Sequence, residues 1–174
     1  HKTIFIITSD HAGYGLKKNL PRIESHYNEA LQIPFIIYVP DIFIKNNQDA
    51  FNNLRNNQNH LASNLDIVPT LTRIMGYKPN STDNYSLIGK DLTIKYVPEK
   101  VVISNNANEI KKRVNVGFGI YTDKYRFVAS SLEGFKLFSY DDTKQNQNLW
   151  RKNNSNKKNI LNIINKFPII NDLY

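Results

Sequence analysis

The sequence predicts an α/β fold followed by a small antiparallel β region, and three observations carry that expectation. Residues 3–7 and 33–39 are apolar, largely β-branched or aromatic runs without polar alternation, the pattern of strands covered on both faces in a parallel α/β sheet. Residues 66–76 mark a short amphipathic helix at both ends. From Leu92 onward the texture changes to short strand-like runs divided by turn residues, the spacing of an antiparallel meander. The expected division is therefore 1–91 for the α/β part and 92–174 for the β part with its terminal helix.

In chain order, the first apolar run ends abruptly in Thr8, Ser9, Asp10 and His11, with Ala12, Gly13 and Gly15 permitting a turn. Ligands of parallel sheets bind at the carboxyl ends of strands. An adjacent carboxylate and imidazole there can share one divalent cation when other segments complete the shell; equally, Asp10 can cap a turn while His11 is solvated. Residues 16–25 carry Lys17, Lys18 and Arg22 around Pro21, with His26 just beyond, and read as an exposed loop or short helix. Residues 27–31 suit one helical turn before the second strand, whose limiting residues Pro34 and Pro40 sit where a missing N–H is tolerated. Residues 41–59 are polar and Asn-rich, a surface excursion with a short helix.

For the helix at 66–76, Asp66 is read as the N-cap, Pro69 falls in the first turn, Ile67, Leu71 and Ile74 share a face, and Gly76 is the stop. The expected β runs are 100–104, 114–122, 125–130 and 135–140, with turns at Asp123-Lys124 and Glu133-Gly134. Tyr125, Phe127, Phe135 and Phe138 are read as core aromatics. Residues 156–167 place Ile160, Leu161, Ile163, Ile164 and Phe167 on a helical face stopped by Pro168.

Composition narrows the function classes. With 174 residues the chain is long enough for a core, and with no cysteine it holds no disulfide, thiolate metal site or cysteine nucleophile. The formal charge of +8 is spread among asparagines with no nucleic-acid reading motif, so nucleic-acid binding is not expected. No run approaches the ~18 apolar residues of a membrane span. The chain lacks an initiator Met and opens on a core strand, so an amino-terminal segment, with any anchor or export signal, is expected upstream.

The ordered pieces resemble the carboxyl-terminal part of the sulfatase branch of the alkaline-phosphatase superfamily. In that family a strand ends in Ser-Asp-His-Gly or Ser-Asp-Asn-Gly, and Ser9-Asp10-His11-Ala12 stands at that place with Ala for the usual Gly. A basic loop, a Tyr-Glu turn and a Val-Pro strand are similar to the stretch from Tyr27-Asn28-Glu29 to Ile33-Pro34-Phe35. The family's Asp-Ile-x-Pro-Thr-Leu helix is reproduced by residues 66–71, and its closing Leu-Tyr-Asp-Leu…Asn-Leu segment is resembled by residues 137–142 with Asn148-Leu149.

The resemblance implies an alkaline-phosphatase-like sheet with helices, here its carboxyl-terminal part, then a small antiparallel β subdomain with a C-terminal helix. It implies a metal-dependent hydrolase of sulfate or phosphate esters, with a divalent metal (Ca, Mn or Zn) on Asp10 and His11. Lys17, Lys18 and Arg22 would bind the ester's negative charge. His26 would be a second-metal ligand or a cation on the transferred group, and His60 stands before Asp66 at the interval of an active-site His in some relatives. The partners implied are the ester substrate and the amino-terminal segment of the same enzyme; membrane contact would come only through that segment, in an extracytoplasmic or secreted setting. Sulfatases draw their nucleophile from a Cys/Ser-x-Pro-x-Arg motif, which this sequence lacks, so the chain alone is expected to be inactive. The alternatives are an extracytoplasmic phosphoethanolamine or other phospho-group transferase, which would use Thr, and a non-catalytic binding module or fragment that pairs with another chain.

Overall fold

The computed structural model describes residues 2–12, 27–77, 89–96, 102–110, 113–131, 134–150 and 154–165. Two units divide the chain, one drawn from 1–12 and 31–102, the other from 13–30 and 103–174.

In the first unit, β1 (Phe5–Thr8) pairs with β2 (Phe35–Tyr38), Phe5 opposite Tyr38 and Thr8 opposite Phe35. The pairing is antiparallel, in a two-stranded sheet, where the apolar runs had suggested parallel neighbours. An unbroken apolar run reports how much burial a strand asks for, not the direction of its partner. Nor is β1 buried on both faces: Phe5, Ile7, Ile36 and Tyr38 are each about half exposed on one face, while Ile6 and Ile37 opposite them are better covered.

The Asn-rich stretch forms two helices, α2 (Asp41–Asn46) and α3 (Gln48–Asn57), and its asparagines do structural work. Asn53 and Asn57, one turn apart, donate side-chain N–H groups to the carbonyls of Thr93 (3.0 Å), Leu92 (2.9 Å) and Ile94 (2.8 Å). A 3₁₀ turn, Asn64–Asp66, leads into α4 (Ile67–Ile74). This helix stops as the sequence predicts. Gly76, at φ +85°, lets the Gly76 and Tyr77 N–H groups reach the carbonyls of Arg73 and Thr72 at 3.0 and 2.9 Å, a Schellman closure that favours glycine.

From the other side α4 holds the same 89–94 segment: the Thr70 hydroxyl, fully buried, accepts the Leu92 N–H at 3.0 Å. Gly89 passes so close to the preceding turn that an added Cβ would stand 1.9 Å from the Leu65 carbonyl oxygen.

In the second unit a single helical turn, α1 (Asn28–Leu31), follows Tyr27, whose ring packs 6.0 Å from Phe138 and whose hydroxyl lies 2.7 Å from the Lys136 ammonium. Four strands lie in sequence order: β3 (Val102–Ile110), β4 (Arg113–Tyr121), β5 (Tyr125–Ser130) and β6 (Gly134–Ser139). The meander stands where it was expected, but β3 runs on through 105–110 past its predicted end, because ladder pairing satisfies the backbone of a polar stretch as well as an apolar one. Phe118, Ile120, Phe127, Val128, Leu137 and Phe138 form the buried centre. Phe135 is a correction: it is 45% exposed at the sheet's margin, against Phe127 and Trp150. The closing helix, α5 (Asn154–Asn165), buries Ile160 completely, while Leu161, expected on its inner face, is exposed. Phe167 and Pro168 lie outside the described residues.

Candidate functional site

The carboxyl end of β1 runs straight into Ser9, Asp10 and His11, and short-range hydrogen bonds shape that turn. The Ser9 hydroxyl donates to the His11 carbonyl at 2.6 Å, and the His11 N–H donates to Asp10 Oδ1 at 3.0 Å. The His11 Nδ1 lies 2.8 Å from the Ala12 carbonyl oxygen. A carbonyl only accepts, so Nδ1 carries the proton, and in the neutral ring Nε2 presents a lone pair. That nitrogen lies 3.5 Å from Asp10 Oδ2. A carboxylate oxygen and an imidazole lone-pair nitrogen thus stand close enough for one small ion to reach both, an arrangement that a cation or a proton between them stabilises.

The turn is open to solvent, with side-chain exposures of 84% for Asp10 and 41% for His11. Asp10 nevertheless titrates below its ordinary value of 3.8: burial, the largest single influence, pushes upward, and is outweighed by the sum of the His11 charge and the hydrogen bonds from the His11 and Asp10 backbone and the Ser9 hydroxyl. The carboxylate is held in its ionised, ligand-competent form.

Sequence reasoning missed Asn64. Its side-chain Nδ2 donates to the Ser9 carbonyl at 2.8 Å and its Oδ1 accepts the Thr8 hydroxyl at 3.0 Å, joining the 3₁₀ turn to the end of β1. The signal was slight: one Asn among many, two residues before Asp66.

Asp66 itself is fully buried. It does not cap α4 with its side chain, as its place before the helix suggested. It accepts instead from the Ser63 N–H (2.8 Å), closing a capping box, and from the Lys90 N–H (2.8 Å), because the 3₁₀ turn places its side chain behind the helix start.

His60 lies flat on Tyr96, ring centroids 3.8 Å apart and planes 8° from parallel. Among the described residues no group of three His, Cys, Asp or Glu converges, so Asp10 and His11 are brought together while His60 does not join them in such a group. Lys17, Lys18, Arg22 and His26 lie outside the described residues. No helix among the described residues is long and apolar enough to cross a membrane.

Residues 1–77, which contain β1, the Asp10-His11 turn and α4, match the Sulfatase family model. Over that stretch the chain is similar to sulfatases. Its fold agrees with two solved structures, a 2-O GAG sulfatase and a candidate sulfatase from Bacteroides thetaiotaomicron VPI-5482, each aligned over 98% of the chain at 21% identity with a TM-score of 0.61. The chain spans 35% of the length of either structure. No curated protein sequence matches it.

Proposed function

We propose that this chain is the carboxyl-terminal part of a metal-dependent sulfatase-like hydrolase of sulfate or phosphate esters, and that Asp10 and His11 supply two ligands to one divalent cation. The observation that carries this reading is the 3.5 Å convergence of Asp10 Oδ2 and His11 Nε2, with Nδ1 committed to the Ala12 carbonyl. A hydrogen bond of that kind on the far ring nitrogen is how metal-binding imidazoles are oriented. One carboxylate oxygen and one imidazole nitrogen form a donor set that suits manganese or zinc, and also calcium where further oxygens join.

When bound, a divalent cation polarises the ester and lowers the nucleophile's pKa. The residues of this chain prepare for that chemistry. Asp10 stays ionised because His11 and the surrounding N–H and O–H donors favour its charged form. His11 keeps its proton on Nδ1, and Ser9 holds the His11 carbonyl. Lys17, Lys18, Arg22 and His26 are the proposed cationic contacts to the ester's negative charge. The stack on Tyr96 supports a packing role for His60 over an acid-base one.

With two ligands and no sulfatase nucleophile motif in the sequence, the chain by itself is proposed to bind metal weakly and to turn over neither aryl sulfates nor phosphodiesters. Manganese titration followed by amide NMR tests the site. Paramagnetic broadening is expected to centre on Ser9 to Ala12 and to vanish in both Asp10→Ala and His11→Ala. Broadening elsewhere, or unchanged by those substitutions, refutes the assignment.

A further inference from the structure

The Asp10 side chain is 84% exposed, so the packing of described residues around it does little to set its direction, and the hydrogen bonds within the turn join it only to its own neighbours. Its position must come from hydrogen bonds to something rigid. The sheet cannot supply them, because the strand pairing ends with Thr8 opposite Phe35, leaving the backbone of Ser9 beyond the ladder. There the Asn64 carboxamide takes over. Its Nδ2 donates to the Ser9 carbonyl oxygen at 2.8 Å, and the Thr8 hydroxyl donates to its Oδ1 at 3.0 Å. Thr8 could serve either end of an amide, but a carbonyl oxygen accepts only from the nitrogen, so the Ser9 carbonyl fixes the orientation of the carboxamide.

The Ser9 carbonyl belongs to the planar peptide that carries the Asp10 nitrogen and Cα. Fixing that oxygen fixes the plane from which the Asp10 side chain departs, and His11 follows one peptide later. The base of the clamp is firm. Two residues on, the fully buried Asp66 holds the Ser63 and Lys90 N–H groups at 2.8 Å each, and Gly89 passes close against the Leu65 carbonyl of the same turn. An exposed turn is thus tied by one side chain to one of the best-anchored points in the unit.

We infer that Asn64 is a positioning residue for the cation site: through Ser9 it sets the direction in which Asp10 and His11 present their ligand atoms. This rests on the cation reading above. Partners that orient ligands without touching the metal typically change affinity by about 10- to 100-fold, and a turn whose Asp10 side chain is 84% exposed should feel the loss of its clamp.

The test is manganese titration of the whole chain, followed by broadening of the Asp10 and His11 amide signals, in wild type, Asn64→Ala, Thr8→Val and Asn53→Ala. Asn64→Ala is expected to weaken manganese about tenfold and to move the metal-free amide shifts of Ser9, Asp10 and His11. Thr8→Val, which removes one of the two bonds and keeps the side chain's shape, should weaken it by a smaller factor. Asn53→Ala removes a comparable amide-to-carbonyl bond elsewhere in the same unit, to Thr93 at 3.0 Å, and should leave manganese binding at the wild-type value. Wild-type affinity in Asn64→Ala overturns the inference while leaving the cation reading intact, and equal weakening by Asn53→Ala overturns it by showing a general loss of stability. Should Asn64→Ala lose its native spectrum, Thr8→Val decides alone: unchanged affinity there also overturns the clamp. If manganese leaves the wild-type turn unbroadened, the cation reading itself fails and the positioning role falls with it.

Discussion

Asp66 is fully buried, and each of its oxygens takes a backbone N–H, from Ser63 and from Lys90. Asp10, in the same unit, is 84% exposed in its side chain and turns one oxygen toward an imidazole nitrogen 3.5 Å away. Burial usually suggests importance to chemistry, yet here it marks the carboxylate that holds the fold. The oxygens of Asp66 are engaged by donors of the fold's own backbone, and full burial keeps them out of reach of a ligand from solvent. Asp10 has one oxygen engaged by the His11 N–H and the other facing a second acceptor. An exposed carboxylate oxygen beside a lone pair contributes little to a fold but much to a cation.

That contrast can be broken at its structural end first. The largest expected effect is that of Gly89→Ala, since a Cβ 1.9 Å from the Leu65 carbonyl oxygen has backbone, not a flexible side-chain tip, to push against. Overpacking of this kind costs about 3 kcal/mol or more, and denaturant unfolding should show a lowered midpoint or a chain that no longer folds. Asp66→Ala comes next. It strands two part-buried N–H groups, each costing about 1–3 kcal/mol when unsatisfied; their partial access to water keeps the sum in its lower part, so a loss of about 2–4 kcal/mol is expected in the same measurement. A loss below about 0.5 kcal/mol, the usual range for surface substitutions, would show that water replaces the carboxylate freely and that burial has been over-read. Neither variant acts on Asp10 or His11 directly, whereas Asp10→Ala should abolish manganese broadening with little change in the unfolding midpoint.

Local chemistry made α4 legible, because its glycine stop and its apolar spacing lie within the helix itself. The Asp10-His11 pair was legible for the same reason: adjacent residues at the end of an apolar run need no tertiary information to be placed together. What could not be read was every interaction whose second partner is distant in sequence. The choice of Lys90 by Asp66, of Leu92 by Thr70 and of the Leu92 and Ile94 carbonyls by Asn57 depends on the path of the 89–94 segment, which carries little periodic signal of its own. Asn64 was hidden by composition, one amide in an Asn-rich chain whose asparagines all look alike until the fold gives a few of them carbonyls to hold. The antiparallel pairing of β1 was not legible, because an apolar run encodes burial and not orientation.

The smallest expected effect is the sharpest measure of how little Asp10 owes to folding. Its carboxyl is held below the ordinary 3.8 although burial, the largest single influence, pushes the other way, since the His11 charge and the hydrogen bonds from the His11 and Asp10 backbone and the Ser9 hydroxyl together favour the anion. A carboxyl whose folded value is depressed contributes stability that is present above the unfolded value and disappears as pH falls through the folded one. In metal-free chain, Asp10→Asn should therefore melt slightly below wild type at neutral pH, by less than any variant above, and the two should converge once the solution is acidified beneath the ordinary carboxylate range. Added manganese should widen the gap at neutral pH, because a ligand bound to the native state alone stabilises it by mass action. A gap at neutral pH in metal-free chain as large as that of Asp66→Ala would mean that the exposed carboxylate supports the fold after all, and the division of labour between the two aspartates would fail.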